Sequence, residues 1–376
     1  MSSQLKALVQ KLLLSNGIAL ARVKPIRVSL RRATDATVNF PDEIVNTIAE
    51  FYERVPPFYT DDTPKPLRIA GAWRGDLHER RKSQLSAIAS GDWNRYKDLL
   101  NNLFRSELVS GMWNYGYFAS NDVLIPQGML KDVTYFELET GRDANDLVRT
   151  QKFSSDWGLQ ITGGGIVKYV DPYHGRQAHR ILLAHDYLKA IGNCGSGDVS
   201  PDVIVDLGSG FGGTASYLLN WARAPIHLLL VDIPLNLTTA YAYLAAGFPD
   251  LSVQLISSLE QLHRYDIQKD RSSVVLVPTI FLEEAVKYIQ PCVLHNSASF
   301  SEMDLATVQY YLDVFTKGGT RIVIETNSGL KGSQNQGGHV EVTTFDIERL
   351  LPKDYWLLSR AKVEDVRYVT STYLRI

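Results

Sequence analysis

The residues with the clearest chemical pattern form a glycine-rich turn at positions 206–213, Asp-Leu-Gly-Ser-Gly-Phe-Gly-Gly. The turn follows the short apolar run 203–205, and a helical pattern begins at Thr214. Glycines are needed where a chain turns sharply and where a ligand approaches the backbone. Ligands of doubly wound sheets bind at the carboxyl ends of the strands, beside the helix that follows. The sequence therefore predicts a nucleotide-binding turn. Its candidate cofactor contacts are Asp206, Gly208, Ser209, Gly210 and Gly212.

Asp206 indicates which nucleotide the turn favours. Gly208, Gly210 and Gly213 also satisfy the dinucleotide pattern G-x-G-x-x-G, so the glycines alone do not distinguish between cofactors. A carboxylate at the strand end can hold the cationic amino group of a methionine moiety, but it repels a dinucleotide pyrophosphate. We therefore expect S-adenosyl-L-methionine as the cofactor, with a NAD-dependent oxidoreductase as the alternative of another class.

A second acidic residue, Asp232, ends the next apolar run, which begins at Ile226. At this distance beyond the glycines, an acid can accept hydrogen bonds from both ribose hydroxyls of a nucleotide. Either cofactor would use such an acid, so Asp232 supports the fold more than the choice of cofactor. Ile233, directly after it, is a further candidate contact with the cofactor.

His295 is the candidate general base. It ends the apolar run 291–295, and a histidine at the carboxyl end of a sheet strand can take a proton near neutral pH. Glu302 or Glu325 could orient its second ring nitrogen as catalytic partners. The alternative is that His295 is held by backbone hydrogen bonds beneath the cofactor. Glu302 also has an alternative role, because Ser299 followed three residues later by Glu302 is the pattern of a helix capping box.

The sequence offers no convincing metal site. Its two cysteines, Cys194 and Cys292, provide neither a disulfide framework nor a Cys-x-x-Cys ligand pair. Asp266, Asp304 and Glu325 lack the spacing of an acidic cluster that would bind Mg²⁺. We therefore expect a reaction that needs no metal.

The apolar periodicity around the turn predicts an α/β fold with a doubly wound, mostly parallel sheet. Strands are expected at 203–205, 226–231, 252–256, 273–277, 291–295 and 320–325, followed by antiparallel strands near 355–359 and 366–374. Helices are expected at 176–191, 235–246 and 302–315, and a polar loop at 328–338. The sequence does not fix which of the strands 252–256 and 273–277 holds the more central position.

The N-terminal half is predicted to be mainly helical and carries no recognisable chemical motif. Helical patterns cover 44–51 and 80–112, the second with a break near Gly91. We assign residues 1–34 to a basic N-terminal segment, 35–175 to a helical substrate region and 176–376 to a cofactor-binding domain.

The segment 1–34 contains seven basic residues and no acidic one, and positions 3–14 have the apolar spacing of an amphipathic helix. Such a helix can dock on an anionic membrane or a glycan-assembly partner, or it can pack on its own domain or on a second subunit of a homo-oligomer. No apolar run reaches the roughly 18 residues of a membrane span. The expected location is the cytoplasm, with peripheral contact at the inner membrane face as an option. The formal net charge of -2 gives no case for nucleic-acid binding.

The run 291–304, PCVLHNSASFSEMD, resembles a bacterial family of sugar O-methyltransferases. The residues that carry the resemblance are Asn296, Ser299, Phe300, Glu302 and Met303, together with Asp232-Ile233-Pro234. The resemblance covers about residues 170–330. It implies a class I S-adenosylmethionine-dependent methyltransferase fold, with Asn296 as a cofactor contact. It also implies methylation of a sugar hydroxyl on a glycan or nucleotide-sugar, in surface polysaccharide biosynthesis.

A more distant resemblance is to small-molecule O-methyltransferases, which carry a catalytic histidine at the end of the fourth strand, where this chain has His295. The Asp-Trp that usually follows that histidine is replaced here by Asn296-Ser297. Methylation of a non-sugar metabolite is therefore one alternative, and a binding module without catalytic activity is another.

Overall fold

The computed structural model describes residues 28–31, 39–57, 64, 79–103, 106–109, 133, 135–143, 146–147, 158–161, 172–190, 203–330, 340–362 and 368–376. Within these residues the chain forms an eight-stranded sheet and a separate two-stranded sheet. The small sheet pairs β1 (Val28–Arg31) with β2 (Gly158–Ile161) in antiparallel fashion.

The eight-stranded sheet is parallel except at one edge. Its strands are β3 (Val203–Leu207), β4 (His227–Asp232), β5 (Ser252–Leu255), β6 (Ser273–Pro278), β7 (Val293–Ser297), β8 (Ile322–Ser328), β9 (Tyr355–Lys362) and β10 (Tyr368–Arg375). They lie in the order β5-β6-β4-β3-β7-β8-β10-β9, and β10 runs antiparallel to both β8 and β9. The inner strands β3, β4 and β6 are mostly apolar because helices cover both faces, and β7 and β8 are apolar in their first residues. The strand order reverses between β3 and β7, which is where doubly wound sheets bind ligands.

Helices from both halves of the chain cover the sheet. The apolar cluster on one face includes residues of α1 (Asp42–Tyr52), α2 (Lys82–Ser90), α3 (Trp93–Asn101), α4 (Pro172–Ala190), α5 (Gly213–Trp221) and α6 (Pro234–Gly247). The cluster on the other face includes residues of α7 (Leu259–His263), α8 (Leu282–Ile289), α9 (Ser299–Glu302), α10 (Leu305–Lys317) and α11 (Thr344–Leu350). Successive strand side chains point to opposite faces, so Ile204 belongs to the first cluster and Val205 to the second.

The N-terminal helices contact α6 through polar as well as apolar groups. The hydroxyls of Tyr52 in α1 and Tyr96 in α3 lie 2.9 and 3.0 Å from Thr238 Oγ1 of α6. Gln84 Nε2 of α2 donates to Leu235 O of α6 at 3.3 Å. Buried polar groups require hydrogen-bond partners, so these contacts fix how the three helices sit on α6.

The predicted doubly wound α/β fold is confirmed. β6 lies beside β4 and β5 is the edge strand, which gives the order that the sequence left open. The predicted helix break near Gly91 is also confirmed, because Gly91 adopts a left-handed φ of 65° after α2. Helix α4 begins at Pro172, earlier than the predicted position 176, since proline suits the first helical position.

Some predicted features lie outside the described residues. They are the amphipathic helix at 3–14, most of the basic segment 1–34 and most of the polar loop at 328–338. Among the helices that the structure does describe, none combines the length and the apolar character needed to cross a bilayer.

Candidate functional site

The glycine-rich turn joins β3 to α5 at the point where the strand order reverses. Gly208, Gly210 and Gly212 have φ values of 75, 58 and 83°, in the left-handed region that other residues rarely adopt. The backbone N–H of Gly208 donates to Val231 O at 2.8 Å, and that of Gly210 donates to Asp232 Oδ2 at 2.8 Å. The turn is therefore held against the end of β4.

The need for glycine at position 208 comes from α9. A Cβ at Gly208 would lie 2.6 Å from the Cβ of Ser299, closer than real Cβ atoms approach one another. Ser299 occupies this place because its Oγ donates to Leu207 O at 3.4 Å. The sequence suggested the approach of a ligand as the reason for this glycine. In the structure the reason at this position is the packing of α9.

Asp206 is the last but one residue of β3 and lies in register with His295 of β7. His295 Nδ1 lies 2.7 Å from Asp206 Oδ1, as a donor to this carboxylate oxygen. The second oxygen, Oδ2, forms no hydrogen bond with the part of the chain that the structure describes. One oxygen of Asp206 thus links two neighbouring strands, and the other is available to a ligand.

His295 is 0% exposed, and both of its ring nitrogens face hydrogen-bond acceptors. Nδ1 contacts Asp206, and Nε2 lies 3.4 Å from Gln177 Oε1 of α4, which also accepts from Thr326 Oγ1 at 3.2 Å. A general base needs a nitrogen lone pair within reach of the substrate proton. This geometry does not support His295 as the base. It fits the alternative of a histidine held beneath the cofactor, with side chains as its partners where the sequence suggested backbone groups.

The two glutamates predicted to orient His295 do not contact it. Glu325 lies on the opposite face of the sheet, where it accepts from Asn327 Nδ2 at 3.1 Å and from Thr344 Oγ1 of α11. Burial raises the pKa of Glu325 to about 7, although its hydrogen bonds lower it. Glu302 ends α9 and makes no hydrogen bond to His295. The predicted orienting role is therefore wrong for both residues, because both ring nitrogens have other partners.

Asn296 is buried and its side-chain amide is fully hydrogen-bonded. Nδ2 donates to Leu207 O at 2.9 Å and to Ser299 Oγ. Oδ1 accepts from the backbone N–H of Phe300 at 3.2 Å and from Asn327 Nδ2 at 3.1 Å. An amide has two N–H donors and two acceptor lone pairs, so no capacity remains for a ligand. This side chain ties the ends of β3, β7 and β8 to α9, and the contact of Asn296 with the cofactor stays a prediction.

The predicted capping box of Ser299 and Glu302 is also wrong. The N-cap residue of α9 is Ala298, which has a left-handed φ of 66° and no side-chain hydrogen bond. Ser299 is already inside the helix, so it cannot cap it. The next helix, α10, is capped by Asp304, whose side chain accepts from the backbone N–H three residues later at 2.7 Å. The helix predicted at 302–315 therefore starts later, and a short separate helix precedes it.

Asp232 ends β4 and receives three N–H hydrogen bonds. Oδ1 accepts from the backbone of Ile233 at 2.7 Å and from Asn236 Nδ2 at 3.0 Å, and Oδ2 accepts from Gly210. Burial raises the pKa of Asp232 to about 6, and the charge of Asp206 adds to the rise while the N–H groups oppose it. Asp232 is thus mostly anionic at neutral pH, and Oδ2 keeps one acceptor position.

The turn and the two acids suit a cationic amino-acid nucleoside. Ser209 Oγ is buried without a hydrogen-bond partner among the described residues, and such a hydroxyl is costly unless a ligand satisfies it. Asp206 and Asp232 add two open acceptor oxygens on adjacent strands. Two carboxylates attract an ammonium or a sulfonium and repel a diphosphate. The residues present therefore fit the charge and the ribose hydroxyls of S-adenosylmethionine.

Helix α4 supplies residues to this edge that sequence analysis did not identify as functional. The hydroxyls of Tyr173 and Ser297, at the end of β7, share a hydrogen bond, and burial raises the pKa of Tyr173 to about 12. His174 Nδ1 lies 2.9 Å from Thr214 Oγ1 of α5. Gln177 reaches His295 from the same helix. No spacing pattern marks these residues, and the only local signal is the proline that places Tyr173 and His174 in the first turn.

The described residues contain no group of three or more His, Cys, Asp or Glu side chains that could hold a metal ion. Of the acids considered from the sequence, Asp304 caps α10 and Glu325 is enclosed near α11. The acids that do lie at the glycine-rich turn are Asp206 and Asp232.

No protein-family model matches the chain, and no curated protein matches it. Solved structures resemble it in fold. Magnesium protoporphyrin IX methyltransferase ChlM of Synechocystis PCC 6803, with SAM bound, is 13% identical and covers 68% of this chain and 100% of its own, with a TM-score of 0.32. The pyocyanin biosynthetic protein PhzM is 14% identical and covers 70% of this chain and 71% of its own, with a TM-score of 0.34. The small RNA methyltransferase HEN1 is 13% identical and covers 58% of this chain and 27% of its own, with a TM-score of 0.37. The α/β fold of this chain is established by the strand order of its eight-stranded sheet.

Proposed function

We propose that this chain is an S-adenosylmethionine-dependent methyltransferase. The observation that carries the proposal is the pair of carboxylates, Asp206 and Asp232, at the ends of adjacent parallel strands beside the glycine-rich turn. Asp206 Oδ2 would accept a hydrogen bond from the amino group of the ligand, and Asp232 Oδ2 from a ribose hydroxyl. Ser209 Oγ would gain the partner that it lacks. A pyrophosphate would meet two negative charges here, which disfavours a NAD-dependent oxidoreductase.

We propose a sugar hydroxyl, on a glycan or a nucleotide-sugar of surface polysaccharide biosynthesis, as the methyl acceptor. This part rests on the resemblance of the run 291–304 and of Asp232-Ile233-Pro234 to sugar O-methyltransferases. O-methylation of a non-sugar metabolite is the second candidate, because His295 lies on β7, two residues before its end, and small-molecule O-methyltransferases carry a histidine at the end of the corresponding strand.

S-adenosylmethionine, when bound, would supply the methyl group for an in-line transfer to the acceptor oxygen. Asp206 and Asp232 would hold the ends of the ligand, and His295 would keep Asp206 in its orientation from below. Tyr173 and His174, on the first turn of α4, would shield one side of the carboxyl edge of the sheet from water. Catalysis would then come mainly from positioning two reactants in line, with the hydroxyl proton passing to water on the acceptor side.

We further propose that residues 176–376 bind the cofactor and that 35–175 contribute to the acceptor side. The segment 1–34 would bring the enzyme to an anionic membrane, a glycan-assembly partner or a second subunit, since its charge is wholly positive.

Thermal unfolding with S-adenosylmethionine, S-adenosylhomocysteine or NADH tests the cofactor. A ligand at 100 times its dissociation constant adds about 2.7 kcal/mol to the free energy of unfolding. We expect both S-adenosyl compounds to stabilise the chain and Asp232→Asn to reduce the effect. Asp250→Asn, at an exposed position, should behave like the wild type. Stabilisation by NADH together with none by S-adenosylmethionine would end the methyltransferase proposal.

Release of S-adenosylhomocysteine over a panel of acceptors tests the reaction. The panel contains oligosaccharides, nucleotide-sugars, phenols and RNA. Turnover on the sugars supports the proposed acceptor, and turnover on phenols alone supports the second candidate. Cofactor binding with no turnover on any acceptor indicates a binding module.

A further inference from the structure

Arg81 is a fully buried cation at the junction between the N-terminal helices and α6. Its side chain is 0% exposed, and it lies directly before α2. Nη1 donates to Gln84 Oε1 at 3.2 Å and to Leu108 O, and Nη2 donates to Asn236 Oδ1 of α6 at 3.1 Å. Removing a guanidinium from water is costly, so this arrangement depends on these contacts.

Arg81 fixes the orientation of the Asn236 amide. A guanidinium only donates hydrogen bonds, so the amide atom that faces it is Oδ1 and the other is the donor Nδ2. Nδ2 donates to Asp232 Oδ1 at 3.0 Å, and the backbone N–H of Ile233 donates to the same oxygen at 2.7 Å. Both acceptor positions of Oδ1 are thereby filled. Oδ2 receives one N–H, from Gly210 at 2.8 Å, and keeps an open position.

We propose that Arg81 is a positioning residue for cofactor binding, which acts through Asn236 to orient the Asp232 carboxylate so that Oδ2 accepts from the cofactor ribose. The inference rests on the proposed function. Arg81 itself does not touch the ligand. It makes the N-terminal helices part of the cofactor site, although they supply no residue of the glycine-rich turn.

The positive charge of Arg81, like its hydrogen bond to Asn236, favours the anionic Asp232 carboxylate. Burial raises the pKa of Asp232 to about 6, and the neighbouring Asp206 adds to the rise, so this carboxyl gains a proton as the pH falls through about 6. Burial lowers the pKa of Arg81 to about 10, which still leaves it positively charged. Its attraction to Asp232 favours the anionic carboxylate, so its loss should raise that pKa further. Among the described residues, Tyr96, Glu107 and Tyr52 are further titratable groups that interact with Arg81.

Calorimetric titration of the full chain with S-adenosylmethionine between pH 5.5 and 8.5 tests the proposal. The variants are Arg81→Gln and Asn236→Ala, with Arg95→Gln, an exposed arginine of α3, as the matched control. At pH 7.5 we expect about tenfold weaker binding for the first two, which corresponds to about 1.4 kcal/mol, and no change for the control. The pH below which binding weakens should also rise from about 6 in both variants.

The pH profile separates a positioning role from a structural one, because mere loosening of the fold would weaken binding equally at every pH. If Arg81→Gln unfolds cooperatively but binds with the wild-type dissociation constant and pH profile, the role of Arg81 is overturned. If Arg81→Gln does not fold, the same two readouts on Asn236→Ala decide. If the wild type itself does not bind S-adenosylmethionine, the proposed function and this inference are both overturned.

Discussion

Glu325→Gln should flatten the pH dependence of the stability of this protein. Glu325 is 0% exposed, and its oxygens accept hydrogen bonds from Asn327 and Thr344. Burial raises its pKa from the ordinary 4.5 to about 7. Between these values the folded chain keeps a proton that the unfolded chain has lost, so stability falls as the pH rises. The contribution of Glu325 is fully present below pH 4.5 and is lost as the pH rises through 7.

The size of the effect follows from the two pKa values. Each pKa unit corresponds to about 1.4 kcal/mol, so the rise from 4.5 to about 7 gives about 3 kcal/mol of unfolding free energy. Glutamine reproduces the protonated acid: its oxygen can accept from Asn327, and its N–H can donate to Thr344. The Thr344 hydroxyl can then donate to Ser371 Oγ, which lies 2.8 Å away.

Urea unfolding at intervals from pH 4.5 to 8 measures the effect as the difference between wild type and variant. That difference should change by about 3 kcal/mol across the range, in favour of the variant at high pH. Asp232 titrates in both proteins, so its contribution cancels. Glu50→Gln, on the exposed side of α1, is the control. If the curves of the wild type and Glu325→Gln are parallel, the reasoning from burial is refuted.

Three further substitutions test the packing around the site. Gly208→Ala should lower the free energy of unfolding by about 2 kcal/mol or more, and with it the unfolding temperature, because position 208 has a left-handed φ and contacts Ser299. Ser299→Gly in the same chain should recover part of the loss. His295→Ala should destabilise the protein by about 3 kcal/mol because it leaves Asp206 buried without its partner. Unchanged stability with lost turnover would instead point to a direct catalytic role for His295. Tyr52→Phe should lower the free energy of unfolding, measured with urea, by about 1 kcal/mol through loss of its hydrogen bond to α6, and an unchanged urea midpoint would contradict that contact.

The fold could be predicted because its signals are local in the sequence. A short apolar strand, the turn that begins at Asp206 and an acid at the end of the next strand all lie within positions 203–232. The order of β5 and β6 could not be predicted in the same way. Both are short strands with helices on either side, and only the pairing of β6 with β4 places one inside the other.

The less predictable part of the site comes from residues distant in the sequence. Gln177 is 118 positions from His295, and Arg81 is 155 positions from Asn236. Neither residue belongs to a motif, and their contacts depend on how helices from two parts of the chain pack against the sheet. Sequence spacing can place a group at a strand end, but it does not tell which helix crosses above it.

The run after β7 shows why a resemblance in sequence does not by itself assign a ligand contact. Asn296 and Ser299 bind the backbone at the end of β3, and His295 binds Asp206. These side chains therefore shape the site from beneath the turn. Because both nitrogens of His295 face acceptors, its contribution is to hold one buried carboxylate close to a second, Asp232. Two carboxylates held together repel each other, and a bound cation relieves that repulsion. The preference for a positively charged ligand thus comes from the two carboxylates, and the histidine contributes by keeping one of them in place.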